Sequence, residues 1–315
     1  MEERKYPRAK GGSGAKSLLP LLVVGFFGIG FLILLAFVLL ALAGDEPLGG
    51  ECVGVVEISG EITTESFPSS IFSDGSYGSY ELGQRISAIN GREDISSVLL
   101  VINSPGGSVV AGDELYRAID SLDKPTVSYF REQGASAAYY IATPSDYMIS
   151  EPNALTGSIG VVMYGYEFEQ LARRLGISDV VIKSGEMKDI GNPLRNMTEE
   201  ETALLQGAVD EIFEEFKNTI EANRGSKLNR PLFNEALDGR VLTGRMALQA
   251  GLVDEVGSRE DAILKAAELG GMDYESAEDV PLCTVRTSPE PAGLFDVRSL
   301  IGGIFASEPG HLQVG

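Results

Sequence analysis

The sequence predicts an α/β domain with a largely parallel sheet, and three observations carry that prediction. Apolar runs of strand length alternate with segments whose apolar residues recur every three to four positions. Glycine turns join two of these runs to the helical segment that follows: Ser-Pro-Gly-Gly at Ser104–Gly107 and Gly-Ala-Ser at Gly134–Ser136. A chain of 315 residues has room for one large or two small domains, and at 43% hydrophobic it can bury a sizeable core.

The elements follow in order. Residues 45–52 form a short Gly/Pro linker, and Val53–Ile58 reads as a buried strand. Phe67–Tyr80 is a Ser/Gly/Tyr-rich loop without periodicity. Leu82, Ile86 and Ile89 mark one helix face, Val98–Ile102 a strand, and Leu115, Ile119 and Leu122 a second helix face. The strand Thr126–Phe130 precedes a short helix opening near Ser136, then a strand at Tyr147–Ile149 and an apolar run from Ile159 to Met163. A helix over Glu167–Leu175 and a strand at Val180–Ile182 come next. Thr198 and Glu201 form a capping box, because a hydroxyl and a carboxylate three residues apart satisfy each other's backbone N–H groups. The helix it opens carries Leu204, Ala208, Ile212, Phe216 and Ile220 at every fourth position. Short helices follow around Arg245–Gln249 and Glu260–Leu269, and 288–315 is a Pro/Gly/Ser-rich tail or docking arm.

The N-terminal region has a different character. Ser17–Gly44 contains no ionisable residue. As a helix it would run roughly 42 Å, against a hydrocarbon core of about 30 Å. A buried core helix would need a polar neighbourhood somewhere along its length, and this run has none. It therefore reads as a transmembrane anchor. Ala41-Leu42-Ala43 also resembles a signal-peptide cleavage site, but the run is much longer than the ~7–15 residues of a signal h-region. Residues 1–16 carry Arg4, Lys5, Arg8, Lys10 and Lys16 against Glu2 and Glu3. The positive-inside rule keeps that end cytoplasmic and sends the 53–287 domain across a cell membrane to the extracytoplasmic side.

The formal net charge is −21, which repels nucleic acid, so DNA or RNA partners are excluded. Cys52 and Cys283 are too few for a metal cluster, and the sequence leaves a disulfide and two buried thiols both open. No metal or other cofactor is expected. The only histidine is His311, five residues from the end. Zinc hydrolysis usually recruits two or three imidazoles, and a Ser-His-Asp triad needs one. Yet the two glycine turns have the character of a serine-nucleophile site. Small residues around Ser136 admit a substrate backbone, and outward N–H groups at the turns can hold an oxyanion. A serine activated without histidine points to lysine.

Here the chain resembles a known family. Asn103-Ser-Pro-Gly-Gly107, the small-residue turn at Ser136, Leu155-Thr-Gly-Ser-Ile-Gly-Val161, and Lys183-Ser-Gly-Glu-Met-Lys-Asp189 followed by Pro193 and Arg195 are similar to the signal peptide peptidase A family. The resemblance implies a Clp-protease/crotonase-like fold of repeated ββα units and the short, single-repeat type, here preceded by one transmembrane helix. It implies Ser136 as nucleophile, Lys188 as general base and Ser158 as the hydroxyl that orients the lysine. Gly107 and Ala137 are implied as the backbone oxyanion donors. Family members often have glycine after the serine where this chain has Ala137, a change that keeps the N–H. The implied activity is endopeptidase cleavage of apolar peptides, remnant signal peptides above all, by a homo-oligomer with shallow hydrophobic specificity pockets. The alternatives are a stomatin-partner-type protease with one substrate and a non-catalytic peptide-binding member of the crotonase fold. A lysine base must be neutral, so its pKa must fall from ~10.4 toward ~7–8 by burial. Asp189 and Glu186 are accordingly expected to face away from it.

Overall fold

The computed structural model describes residues 51–69 and 75–289. The basic N-terminus, the expected anchor at 17–44, His311 and all but the first two residues of the 288–315 tail lie outside them. Among the described residues no helix is long and apolar enough to cross a membrane.

The strands β1 (Cys52–Ser59), β2 (Ile95–Ser104) and β3 (Thr126–Ala135) lie side by side in parallel. They belong to an eight-stranded sheet with β4 (Tyr147–Ser150), β5 (Leu155–Gly157), β6 (Val241–Thr243), β7 (Glu255–Val256) and β8 (Leu282–Val285). The strand path is β6-β5-β3-β2-β1-β8, with β4 pairing β3 and β7, and every described pairing is parallel except β5 with β6. The expected parallel α/β architecture is therefore present.

The strands read as near-continuous apolar runs because both faces of the sheet are covered. Val56, Ile58, Val98, Leu100 and Ile102 join one core with α1 (Ser79–Ser87), α2 (Val109–Asp120) and α3 (Ala137–Ala142). The alternate residues Val53, Val55, Leu99 and Val101 join another, closed by Ala262, Ile263, Ala266 and Ala267 of α8 (Arg259–Leu269). This is the period-two alternation of a strand. Leu82, Ile86, Leu115 and Ile119 are buried as their spacing predicts.

Three expectations are corrected. The strand expected to end at Phe130 continues to Ala135. Its polar Arg131, Glu132 and Gln133 look like a loop in the sequence, but they form an irregularity in the β2–β3 register. That bulge lets β3 pair first with β4 and then with β5. Val180–Ile182 is not a strand: Val180 is 86% and Ile182 96% exposed, and no strand of the described chain lies beside them. The long helix α5 (Glu199–Arg224) opens with the predicted capping box, yet of its expected face only Phe216 and Ile220 are buried, and Leu204 is exposed. Helix α6 (Arg230–Ala236), with a proline in its first turn, was not anticipated, whereas α7 (Gly244–Ala250) was.

Cys52 and Cys283 form a disulfide, which fastens β8 to β1 where the two strands pair in parallel.

Candidate active site

The two glycine turns meet. In the first, Pro105 fixes the chain and the buried Ser104 Oγ accepts a hydrogen bond of 3.1 Å from the Gly106 N–H. Gly106 sits at φ +103, and a side chain there would come within 3 Å of Ala135 O, Ala137 N and Ser136 Cβ. Only glycine permits that contact between the turns. The segment at Ile62, which the sequence did not signal, clamps the turn from the other side. Ile62 N–H donates to Gly106 O and Ser108 N–H donates to Ile62 O, each at 2.9 Å. This parallel bridge uses the groups flanking Gly107 and leaves the Gly107 N–H itself unused. Ala137 N–H, in the first turn of α3, is likewise without a partner among the described residues. The two expected oxyanion donors are thus among the amides of the site that have no partner in the described residues.

Ser136 lies between them at φ 53, ψ −125, a conformation that costs about 1–3 kcal/mol for a residue with a side chain. It is held by its own N–H, which donates to Gly157 O at 2.9 Å, at the end of β5. The next residue, Ser158, is the other non-glycine residue with positive φ (49°) among those described, and its N–H donates to Arg240 O at 2.9 Å. The strained backbone of the described chain, glycines aside, therefore falls on two serines singled out from the sequence. Both line an open cleft of about 490 Å³, shared with Tyr164, Asp210, Phe213 and Asp238. A second cavity, of about 140 Å³, adjoins Ser136, Gly107 and Ala137 on the other side. Its walls include Val109, Val162 and Phe216, and also Asp113, Tyr140 and Glu215.

Lys188 lines neither cavity. It lies in a 3₁₀ turn at Glu186–Asp189 and is exposed. That turn belongs to an arm spanning 161–197, which includes helix α4 (Glu169–Arg174) and exposes Met163, Tyr164, Tyr166, Leu175, Val180 and Ile182. The single chain thus unites Ser136, Ser158, Gly107 and Ala137 but not Lys188. Asp189 is turned onto other cations, as expected: its carboxylate accepts from Lys183 Nζ at 2.6 Å and from Arg195 Nε at 3.0 Å. Arg195 also binds the Glu201 carboxylate, which closes the capping box of α5. Hydrogen bonds from Arg195 and then Lys183 hold the Asp189 carboxyl well below its ordinary range, and Arg195, followed by the Thr198 amide, lowers Glu201 to about 2. Arg195 therefore ties the lysine-bearing turn to the long helix. The sequence showed the members of this cluster, but not that one guanidinium joins them.

The model of peptidase family S49 matches residues 118–273, a span that includes Ser136, Ser158 and Lys188. Two proteins named as proteases are each 37% identical. One is from Methanocaldococcus jannaschii, over 67% of this chain and 66% of its own length. The other is from Synechocystis, over 66% of this chain and 72% of its own. A protein of Enterococcus faecium named as signal peptide peptidase SppA is 33% identical over 67% of this chain and 59% of that one. The chain thus spans between about three fifths and three quarters of these relatives. Among solved structures, a membrane-bound stomatin-specific protease aligns over 76% of this chain and 99% of its own at 16% identity, with a TM-score of 0.44.

Proposed function

The chain belongs to peptidase family S49, the signal peptide peptidase A family, and from that premise we propose that it is a serine endopeptidase of the Clp-protease/crotonase-like fold working through a Ser136/Lys188 dyad. One observation carries the reading: a serine in a strained turn lies between two amides, of Gly107 and Ala137, that have no partner in the described chain. In this reading Ser136 Oγ attacks a peptide carbonyl while a neutral Lys188 amine takes its proton. The two amides hold the resulting oxyanion, where preorganised donors are worth several kcal/mol. Ser158 receives the amine and fixes its direction. The lysine then returns the proton to the leaving amine, and water completes hydrolysis by the same route.

Lys188 is exposed and lines neither cavity beside Ser136, so the site is incomplete in one chain. We assign its completion to a second copy. The arm at 161–197 exposes Val162, Met163, Tyr164, Tyr166, Leu175, Val180 and Ile182, large apolar side chains that a partner surface would cover. Packed on a neighbouring copy, it would carry Lys188 into the cleft between that copy's Ser136 and Ser158 and strip it of water. The homo-oligomer is membrane-anchored through 17–44 with the protease domain extracytoplasmic. The disulfide supports this side of the membrane, since such bonds persist in oxidising compartments. Peptides released in the membrane, remnant signal peptides foremost, are the substrates.

The test is cleavage of signal-derived peptides by the full-length protein. Ser136→Ala and Lys188→Ala should each lose at least about 10³-fold in kcat/KM. Mixing the two dead variants should restore part of the activity, because one hybrid site regains both groups. A mixture that stays inactive after subunit exchange would put the dyad within one chain, and full activity in Lys188→Ala would remove the lysine from the mechanism.

A further inference from the structure

The cavity of about 140 Å³ beside Ser136 is shaped by one face each of three helices. Helix α2 contributes Val109 and Asp113, α3 contributes Tyr140, and α5 contributes Glu215 and Phe216. Cavities of about 150 Å³ admit a benzene-sized guest, so a long, slender side chain fits here. Its position next to the nucleophile and the free amides is where the residue preceding a scissile bond must put its side chain.

The chemistry of the lining is specific. Asp113 is partly buried and Glu215 exposed, no lysine or arginine lines the cavity, and neither carboxylate forms an ion pair among the described residues. Burial pushes the Tyr140 hydroxyl up to about 12, a hydrogen bond with Thr219 opposing the rise and one with Asp113, with the charges of Asp113 and Glu215, adding to it, so the neutral hydroxyl is engaged with the Asp113 carboxylate at the wall. Apolar walls that end on unpaired carboxylates suit an aliphatic stem with a cationic head.

We propose that Asp113 and Glu215 make this cavity a receptor for a lysine or arginine side chain, so that the enzyme cleaves after a cationic residue. The proposal rests on the peptidase reading above and narrows its substrate class. Signal peptides carry this chemistry in their basic n-region, next to the apolar stretch. The carboxylates recognise the head, Val109 and Phe216 line the stem, and Tyr140, hydrogen-bonded to Asp113, holds that carboxylate at the wall.

The experiment compares full-length enzyme on peptides identical except at the residue before the cut: lysine, arginine, norleucine, leucine or glutamate. Norleucine keeps an unbranched apolar stem and lacks the charge. Lysine should exceed norleucine in kcat/KM by about tenfold or more, as one or two charge-assisted hydrogen bonds warrant, and glutamate should be the poorest. In Asp113→Asn/Glu215→Gln the lysine-to-norleucine ratio should fall toward one. Ser136-dependent cleavage with norleucine or leucine equal to or above lysine in the wild-type enzyme overturns the inference and leaves the peptidase reading standing. A double variant that keeps the full lysine preference overturns the assignment to these two residues. No Ser136-dependent cleavage of any peptide overturns both readings. The wild-type ratio decides the matter even if the double variant does not fold.

Discussion

At Ser136 the backbone works against stability. A φ of 53 with a ψ of −125 is glycine territory, and Gly157 O and the Gly106 turn hold the serine there. Ser136→Ala and Ser136→Gly should therefore both be inactive but differ in stability. The alanine variant retains the strain, while glycine removes it at a cost of about 0.4–1 kcal/mol in unfolded-chain entropy. The expectation is that Ser136→Gly is more stable than Ser136→Ala by about 1 kcal/mol, read as the difference in urea midpoint at equal m-value. Equal midpoints would mean the turn imposes no strain. The sequence pointed to Ser136 through its small neighbours, since glycine and alanine signal close approach. Asp113 and Glu215 gave no such signal, because an acid on a helix is ordinarily a solvated residue and only the packing of three helices brings these two to one cavity.

Among the elements, those with local signatures were legible and those defined by distant partners were not. The capping box at Thr198 and the faces of α1 and α2 follow from spacing alone. The extension of β3 through Arg131–Gln133 depends on β5, whose pairing no local pattern announces. Val180–Ile182 has the composition of a strand but finds no edge among the described residues. The register of the lysine-bearing turn against α5 depends on Arg195, and its pH dependence follows from the carboxylates it holds. Glu201 falls from 4.5 to about 2 and Asp189 is lowered from 3.8. Groups whose folded pKa is depressed stabilise above their unfolded values and lose that contribution as pH falls through the folded ones. Arg195→Met should thus lower Tm at neutral pH, and the gap to wild type should narrow as pH falls from about 4.5 to 2, with the share owed to Asp189 lost last. A gap that stays constant across that range would show that Arg195 acts through packing instead.

For the molecule as a whole, the parallel sheet was predictable from the alternation of strand-like and helical segments, whereas the pairing of the cysteines was not, because 231 residues separate them. Only the return of the chain as β8 beside β1 brings them together. Cross-linking so large a loop restricts the unfolded chain, and replacing both cysteines by alanine should cost about 2–5 kcal/mol. Denaturant unfolding with and without reductant measures it, and an unchanged midpoint would show that the bond contributes nothing to stability.

That closed loop also governs what a nick can do. The exposed arm offers Arg173 and Arg174 to trypsin, and a single cut there would fall inside the covalent ring. The two fragments should migrate together without reductant and separate with it, so the body could survive damage to its arm as one particle.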